Sequence, residues 1–392
     1  MEKLFHLKEN GTNVRTEILA GLTTFMTMAY ILMVNAGMFA ELPGVSYYAI
    51  YIATALSAAI GTILIGLLAN LPLAQASAMG SNAFFVYTVC LGFGLSYANA
   101  LVLILLDGIA FVILTVTGLR RKIFEAIPKS VRLTIPAGVG LFIAFIGLQN
   151  AGIVVANAET FVTLTSFNLL FGSVTWADIM PILVTLAVLT AIAVMTHRGV
   201  KGAVLWGILG GTLLYYLLGL TIPGFYTGFG ATLNLNPFTA FQEFGTSAFG
   251  MVFAEGFDFS PYLSDHNPAE LAILIGTTAL AFCLVDMFDT IGTLYGACAR
   301  GNLLTPEGEV PNMERAMLAD AVATVCGAVC GTSTVSSYVE ASAGIAEGGK
   351  TGLAAMATGG LFLLAMFLSP VASLVPGCAT AAALIYVGIL MM

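Results

Sequence analysis

The stretch Cys330-Gly-Thr-Ser-Thr-Val-Ser-Ser-Tyr338-Val-Glu340-Ala-Ser-Ala-Gly-Ile345 decides how this chain folds. It stands among long apolar runs, yet it opens on small hydroxyl residues. Ser and Thr side chains compete for helix backbone groups, and β-branched residues favour extended chain. The pattern predicts a short extended stretch leading into a half-helix. A second stretch, Leu73-Ala-Gln-Ala-Ser-Ala-Met-Gly80-Ser81-Asn82-Ala83-Phe-Phe-Val-Tyr87-Thr88, reads the same way. Irregular backbone at bilayer depth survives only where protein encloses it or a cavity is lined by it.

The rest of the chain supplies the bilayer context. Of its 392 residues, 59% are hydrophobic and only 9% charged. Too few polar faces exist to meet water, which excludes a large soluble protein. Apolar runs near the ~20 residues that cross a hydrocarbon core predict twelve segments. Their limits are Glu17–Phe39, Tyr48–Ala69, Ala74–Leu91, Ala98–Gly118, Thr134–Gly152, Ile179–Met195, Ala203–Leu220, Ala269–Ala297, Met313–Cys330, Thr332–Ala346, Gly352–Leu368 and Val375–Met392. The polar N-terminus, Met1 to Thr16, predicts no cleaved signal peptide.

Lys and Arg placement sets orientation. With the N-terminus cytoplasmic, all thirteen basic residues fall inside: Lys3, Lys8, Arg15, Arg120, Arg121, Lys122, Lys129, Arg132, Arg198, Lys201, Arg300, Arg315 and Lys350. The long outer connection, Thr221 to Pro268, carries Glu243, Glu255, Asp258 and Asp265, with Glu270 beside it, an acidity that reads as solvation. Within it, Thr246–Phe257 predicts an amphipathic surface helix.

The two broken segments, 3 and 10, lie seven apart, as do segments 1 and 8. The latter share Thr23-Thr-Phe25-Met-Thr27 against Asp286-Met-Phe288-Asp-Thr290. An odd offset means that the halves enter from opposite sides, the inverted repeat of a secondary transporter with its site at the breaks.

Acids inside apolar runs are costly to bury and therefore informative. They are Asp107, Asp286, Asp289, Asp320 and Glu340. A spacing of three puts Asp286 and Asp289 near one helix face. Two neighbouring carboxyls without a cation repel, and a proton held by one relieves this, as proton coupling requires. The competing role is a structural hydrogen-bonding pair. Glu340, at the second half-helix, suits paired N–H donors such as the N1–H and amino group of guanine. Tyr338 either walls a planar base or is an ordinary packed aromatic. Asn82 can meet a base edge or satisfy broken backbone, and small Ala83 lets backbone approach a ligand. Asp107 fits a proton path or a structural bond equally. Asp320 reads as structural.

Six cysteines and three histidines are scattered, with no metal-ligand spacing, and no cofactor is called for. Glycine pairs such as Gly138-x-Gly140 point to close helix packing rather than nucleotide binding, and a P-loop is absent. An intramembrane aspartyl protease would need its acids on two facing helices, whereas Asp286 and Asp289 share one.

The opening Leu7-Lys-Glu-Asn-Gly-Thr-Asn-Val-Arg-Thr-Glu-Ile-Leu-Ala-Gly-Leu-Thr-Thr-Phe-Met-Thr-Met-Ala-Tyr30 resembles the AzgA-like branch of the nucleobase–cation symporter (xanthine/uracil permease) family. So do Ala78-Met-Gly-Ser-Asn82-Ala83, Asp286-Met-Phe-Asp289-Thr-Ile-Gly-Thr-Leu294, and Gly331-Thr-Ser-x₄-Tyr338-x-Glu340 with Gly344-Ile-x₂-Gly348-Gly-Lys-Thr-Gly-Leu353. The resemblance runs over nearly the whole chain. It implies an all-α polytopic membrane protein, an inverted repeat of seven plus seven segments, of which the last two are missing here.

By that resemblance, residues 17–118 and 269–368 form the core domain, 134–220 and 375–392 the gate domain, and 221–268 the outer loop. The implied activity is proton-coupled uptake of hypoxanthine, guanine or adenine across the cell membrane, by an elevator motion and without enzymatic chemistry. The partners are a purine base, a proton and the bilayer, not nucleic acid, and a homodimer is left open. Base recognition is implied at Asn82, Asp286 and Glu340, with Asp289 supporting. Alternatives are a carrier of the same fold for xanthine, uracil or an anion, and a non-transporting or enzymatic membrane protein.

Overall fold

The computed structural model describes residues 2–118, 128–167, 175–223, 225, 236–264, 266–306 and 308–392. Arg120, Arg121, Lys122 and Asp265 lie outside the described residues.

Helices form where the apolar runs predict them, and polar caps set several starts. Segment 1 begins at Val14, where the Asn13 side chain accepts from Thr16 N at 3.0 Å. It is interrupted at Ala29 and continues over Tyr30–Phe39. Segment 2, Tyr47–Leu68, is capped by Ser46, and segment 4, Tyr97–Val116, by Ser96. Thr175 and Asp178 form a capping box that opens segment 6, Trp176–His197. Asn267 and Glu270 do the same for the 33-residue segment 8, Pro268–Arg300. Segment 9, Met313–Cys330, ends on Gly331, whose φ of +95° only glycine adopts easily. Segments 5, 7 and 12 are Lys129–Asn150, Ala203–Gly219 and Gly377–Met391. Segment 11 starts at Gly352. Six helices among the described residues are long and apolar enough to cross a membrane, and four shorter ones are apolar. Leu213, Leu217, Ile273 and Leu280 are exposed, as lipid-facing residues would be.

Segments 3 and 10 are interrupted as expected. Gln75–Ser77 and Val335–Ser337 are short strands. They also pair with each other, antiparallel, with Gln75 opposite Ser337 and Ser77 opposite Val335. Ala78 N donates to Thr334 O at 2.9 Å and Tyr338 N to Ala74 O at 3.0 Å, which extends the ladder at both ends. Two stretches that cannot satisfy their own backbone at bilayer depth thereby satisfy each other's. Segment 3 then runs helically over Met79–Ala83 and widens to π geometry over Phe84–Gly92. Segment 10 instead makes a 3₁₀ turn, Val339–Ala341, and a five-residue helix, Ser342–Ala346.

The segments sort into two packing groups. Segments 1–4 and 8–11 interlock, segment 9 lying against 2 and 4, and segment 11 against 1 and 2. Segments 5, 6, 7 and 12 form the other group. Met180, Val184, Val188 and Ile192 of segment 6 pack on Cys378, Ala382 and Tyr386 of segment 12. Segments 5 and 12 touch backbone to backbone, since a Cβ on Gly388 would collide with Gly140 O.

Among the described residues, polar contacts fasten the groups at two places. Tyr87 donates to Glu41 Oε1 at 2.8 Å, and Asn150 Nδ2 donates to Glu41 Oε1 at 3.2 Å and to Tyr87 Oη at 3.0 Å. Glu41 lies beyond the end of segment 1, and desolvation of its carboxyl raises its pKa from the usual carboxylate range, against the pull of these hydrogen bonds. At the other end, Lys201, between segments 6 and 7, pairs with Glu347 of segment 10.

Two details correct the sequence reading. The surface helix expected at Thr246–Phe257 lies earlier, at Pro237–Ser247, with a single further turn at Met251–Ala254. Asn236 caps it and Pro237 suits its first turn, while Gly250, at φ +73°, separates it from the next turn. The connection after segment 5 also carries an unanticipated hairpin, Val154–Asn157 with Phe161–Leu164. The loop acids do more than meet water: Glu243 hydrogen-bonds Ser46 and Asp258 accepts from Ser260 N, while Glu270, just inside segment 8, belongs to a cap.

Candidate functional site

The paired strands aim the residues just beyond them at one place. Ser81, Tyr338 and Glu340, each within a few residues of a strand, border a cavity of about 290 Å³. Asp289 of segment 8 completes the polar side. The opposing wall is apolar and belongs to the other packing group, with Val139 from segment 5 and Val387 and Met391 from segment 12.

Each bordering acid is held by a hydroxyl from another segment. Tyr30 donates to Glu340 Oε1 at 2.8 Å, and Ser336 to Asp289 Oδ2 at 2.7 Å. Thr27 adds a bond to the Glu340 backbone carbonyl at 3.3 Å. Tyr338 donates its hydroxyl to Ser77 O at 2.6 Å, so its ring walls the cavity from a fixed position. The chamber thus offers two carboxyls, which accept when ionised and donate when protonated, beside a flat aromatic and a greasy lid.

The remaining sequence-predicted residues stand off the cavity. Asp286 is fully buried but does not border it. Three residues advance a helix by 300°, so the two carboxyls of segment 8 diverge by ~60° around the axis, and only Asp289 turns to the chamber. Asn82 closes the elbow between strand and helix: its Oδ1 accepts from Ser77 Oγ at 2.7 Å and from Ser333 Oγ. The amide is therefore engaged in holding the broken backbone, the structural alternative raised by the sequence. Ala83 is buried beside it, away from the cavity. Asp107 is buried on segment 4, whose next residue, Gly108, abuts Val325 of segment 9. Asp320 has the structural role expected, accepting from Thr290 at 2.7 Å and Gln75 at 3.3 Å.

Sequence reasoning passed over Tyr30, Ser336 and Ser81, the hydroxyls that hold or accompany the acids. The signal was present for Tyr30 and Ser81, which are named positions of the family-like motifs, but not for Ser336, which falls in the unspecified x₄ stretch. It also missed Glu17, whose carboxylate accepts from Lys350 N, Thr351 N and Ala354 N, capping segment 11 from segment 1. Among the described residues, no group of three or more His, Cys, Asp or Glu gathers as a metal site.

The comparisons with known proteins agree with one another. Residues 15–392 match the Permease family Xan_ur_permease. The chain is 38% identical over 394 residues to the adenine permease AdeP of Escherichia coli, covering all of this chain and 80% of that one. It is 40% identical over 400 residues to the guanine/hypoxanthine permease PbuG of Bacillus subtilis, covering all of this chain and 83% of the relative. Among solved structures, the transmembrane domain of a cyanobacterial bicarbonate transporter, BicA, superposes with a TM-score of 0.66 at 15% identity, over 96% of this chain and 88% of that one. The architecture is accordingly the inverted-repeat membrane fold with core and gate groups.

Proposed function

Since the chain belongs to the Xan_ur_permease family, and is thus a multi-pass membrane permease and not an enzyme, we propose that it carries purine nucleobases across the cell membrane together with a proton. The observation that carries this reading is the pair of hydroxyl-held carboxyls, Asp289 and Glu340, beside Tyr338 in one small chamber. The chamber's volume of about 290 Å³ sits at the lower edge of the ~300–1,000 Å³ usual for ligand sites, suited to a small ring system. The N–H groups of a purine face carboxylate acceptors, and a protonated carboxyl donates to a ring nitrogen. An anion would meet repulsion from the same two acids. Relatives named for adenine and for guanine/hypoxanthine support a purine.

Segments 1–4 and 8–11 carry the site and move against segments 5–7 and 12, which supply its apolar wall. The N-terminus is cytoplasmic, with the basic residues on that side. A proton taken by one acid on the outer side neutralises it while the base is bound, and its loss inside weakens the grip.

Uptake of labelled hypoxanthine, guanine and adenine into proteoliposomes, with and without an inward proton gradient, tests the proposal. Saturable uptake that collapses on addition of a protonophore is expected. Uptake indifferent to the gradient removes the coupling, and no uptake of any of the three bases removes the substrate class.

A further inference from the structure

Ser81 is 1% exposed, and its hydroxyl has no hydrogen-bond partner among the described residues. A helical serine usually turns its hydroxyl back to the carbonyl four residues earlier. Here that atom is Ser77 O, already taken by Tyr338 Oη at 2.6 Å and Asn82 Nδ2 at 3.5 Å. A carbonyl oxygen has two lone pairs, so the i−4 carbonyl is filled, and the Ser81 hydroxyl does not bond the i−3 carbonyl either. Leaving a buried hydroxyl unmatched is unfavourable, and such a group calls for a partner from outside the fold.

Its surroundings show where that partner comes from. Ser81 borders the 290 Å³ chamber and also an adjoining apolar one of about 170 Å³, lined by Phe84, Phe142 and Phe282. Other hydroxyls on the main chamber are accounted for. Tyr338 donates to Ser77, Ser337 is engaged as an acceptor of Gln75 at 3.3 Å, and Thr293 is partly exposed and open to water, which leaves Ser81, among the described residues, as the chamber hydroxyl that is buried with no bond of either kind. Of the two acids, the ionised one only accepts and the protonated one donates once. A purine presents ring-nitrogen or 6-oxo acceptors as well as N–H donors, and those acceptors require a donor.

We propose that the Ser81 hydroxyl, not the Asn82 amide, is the segment 3 contact to the base, donating to an acceptor atom of the ring system. The inference rests on the purine-carrier reading above. Asn82 then acts as a positioning residue that keeps Ser77 O occupied and Ser81 available.

The test compares hypoxanthine with its 3-deaza, 7-deaza and 6-deoxo analogues as competitors of labelled uptake, in the wild type and in Ser81→Ala. In the wild type, one analogue loses affinity by roughly five- to tenfold, the worth of a neutral hydrogen bond. In Ser81→Ala that discrimination vanishes, because hypoxanthine falls to the analogue's level. Discrimination that persists in Ser81→Ala overturns the proposal, even if uptake of all bases drops together. Should Ser81→Ala not reach the membrane, Ser81→Cys, of similar shape but a weaker donor, gives the same readout as a reduced discrimination. A wild type that takes up no purine at all fails the carrier reading instead.

Discussion

Segments 3 and 10 solve one backbone problem and contribute different chemistry. Both enter the bundle as extended chain, and each supplies the ladder partner that the other lacks. Past the strands they diverge. Segment 3 turns into a long helical stretch whose first turn sets the Ser81 hydroxyl at the chamber and the Asn82 amide in the elbow. Segment 10 makes a brief 3₁₀ turn that sets Glu340 against Tyr30. Repetition meets the structural need, because any buried strand must be paired. On the proposed reading, function lies in the departure from repetition: segment 3 brings a hydroxyl to the chamber, segment 10 a carboxyl.

Removing that carboxyl should have the largest effect. Glu340→Gln keeps size and one acceptor but cannot hold a charge or exchange a proton. Uptake kcat/KM should fall by about 100-fold or more, the upper range for a charged hydrogen bond, at unchanged membrane abundance. A near-normal rate would make the two breaks functionally equivalent and dissolve the contrast. Asp289→Asn should cost about 10- to 100-fold and flatten the dependence of uptake on the proton gradient. Asp286→Asn should act mainly through the amount of folded protein, with the KM for hypoxanthine little changed. The opposite ranking would show that the carboxyl off the chamber is the one that matters. The smallest effect is expected for Tyr30→Phe, which frees Glu340 Oε1 without removing it: KM should rise about five-fold, roughly one neutral hydrogen bond, with Vmax retained.

Much of this architecture was readable from the residues alone. Segment limits follow from the lengths of the apolar runs and from caps, to the residue at Met313–Cys330. The breaks were legible because Ser and Thr clusters are poor mid-helix residues. Their pairing was not, because no local pattern in Gln75–Ser77 names a partner so distant in the chain. The site was legible as residue types and only partly as residues. Asp286 and Asp289 differ by a small rotation of one helix, and Ser81 and Asn82 are adjacent. Which of each pair meets the cavity depends on helix phase, set by packing against segments that sequence spacing does not see. The hairpin at Val154–Leu164 was hidden for a related reason. Most of its residues are exposed, so burial imposes no alternation on them.

The trio Glu41, Tyr87 and Asn150 joins the end of segment 1 and the body of segment 3 to the end of segment 5. Two of its three bonds cross from the cavity-bearing group to its neighbour, and both depend on one amide. Sliding one group along the other pulls that amide off its two oxygens at once, like a snap fastener rather than a hinge. In the proposed motion this contact opposes the start of the stroke rather than its whole length.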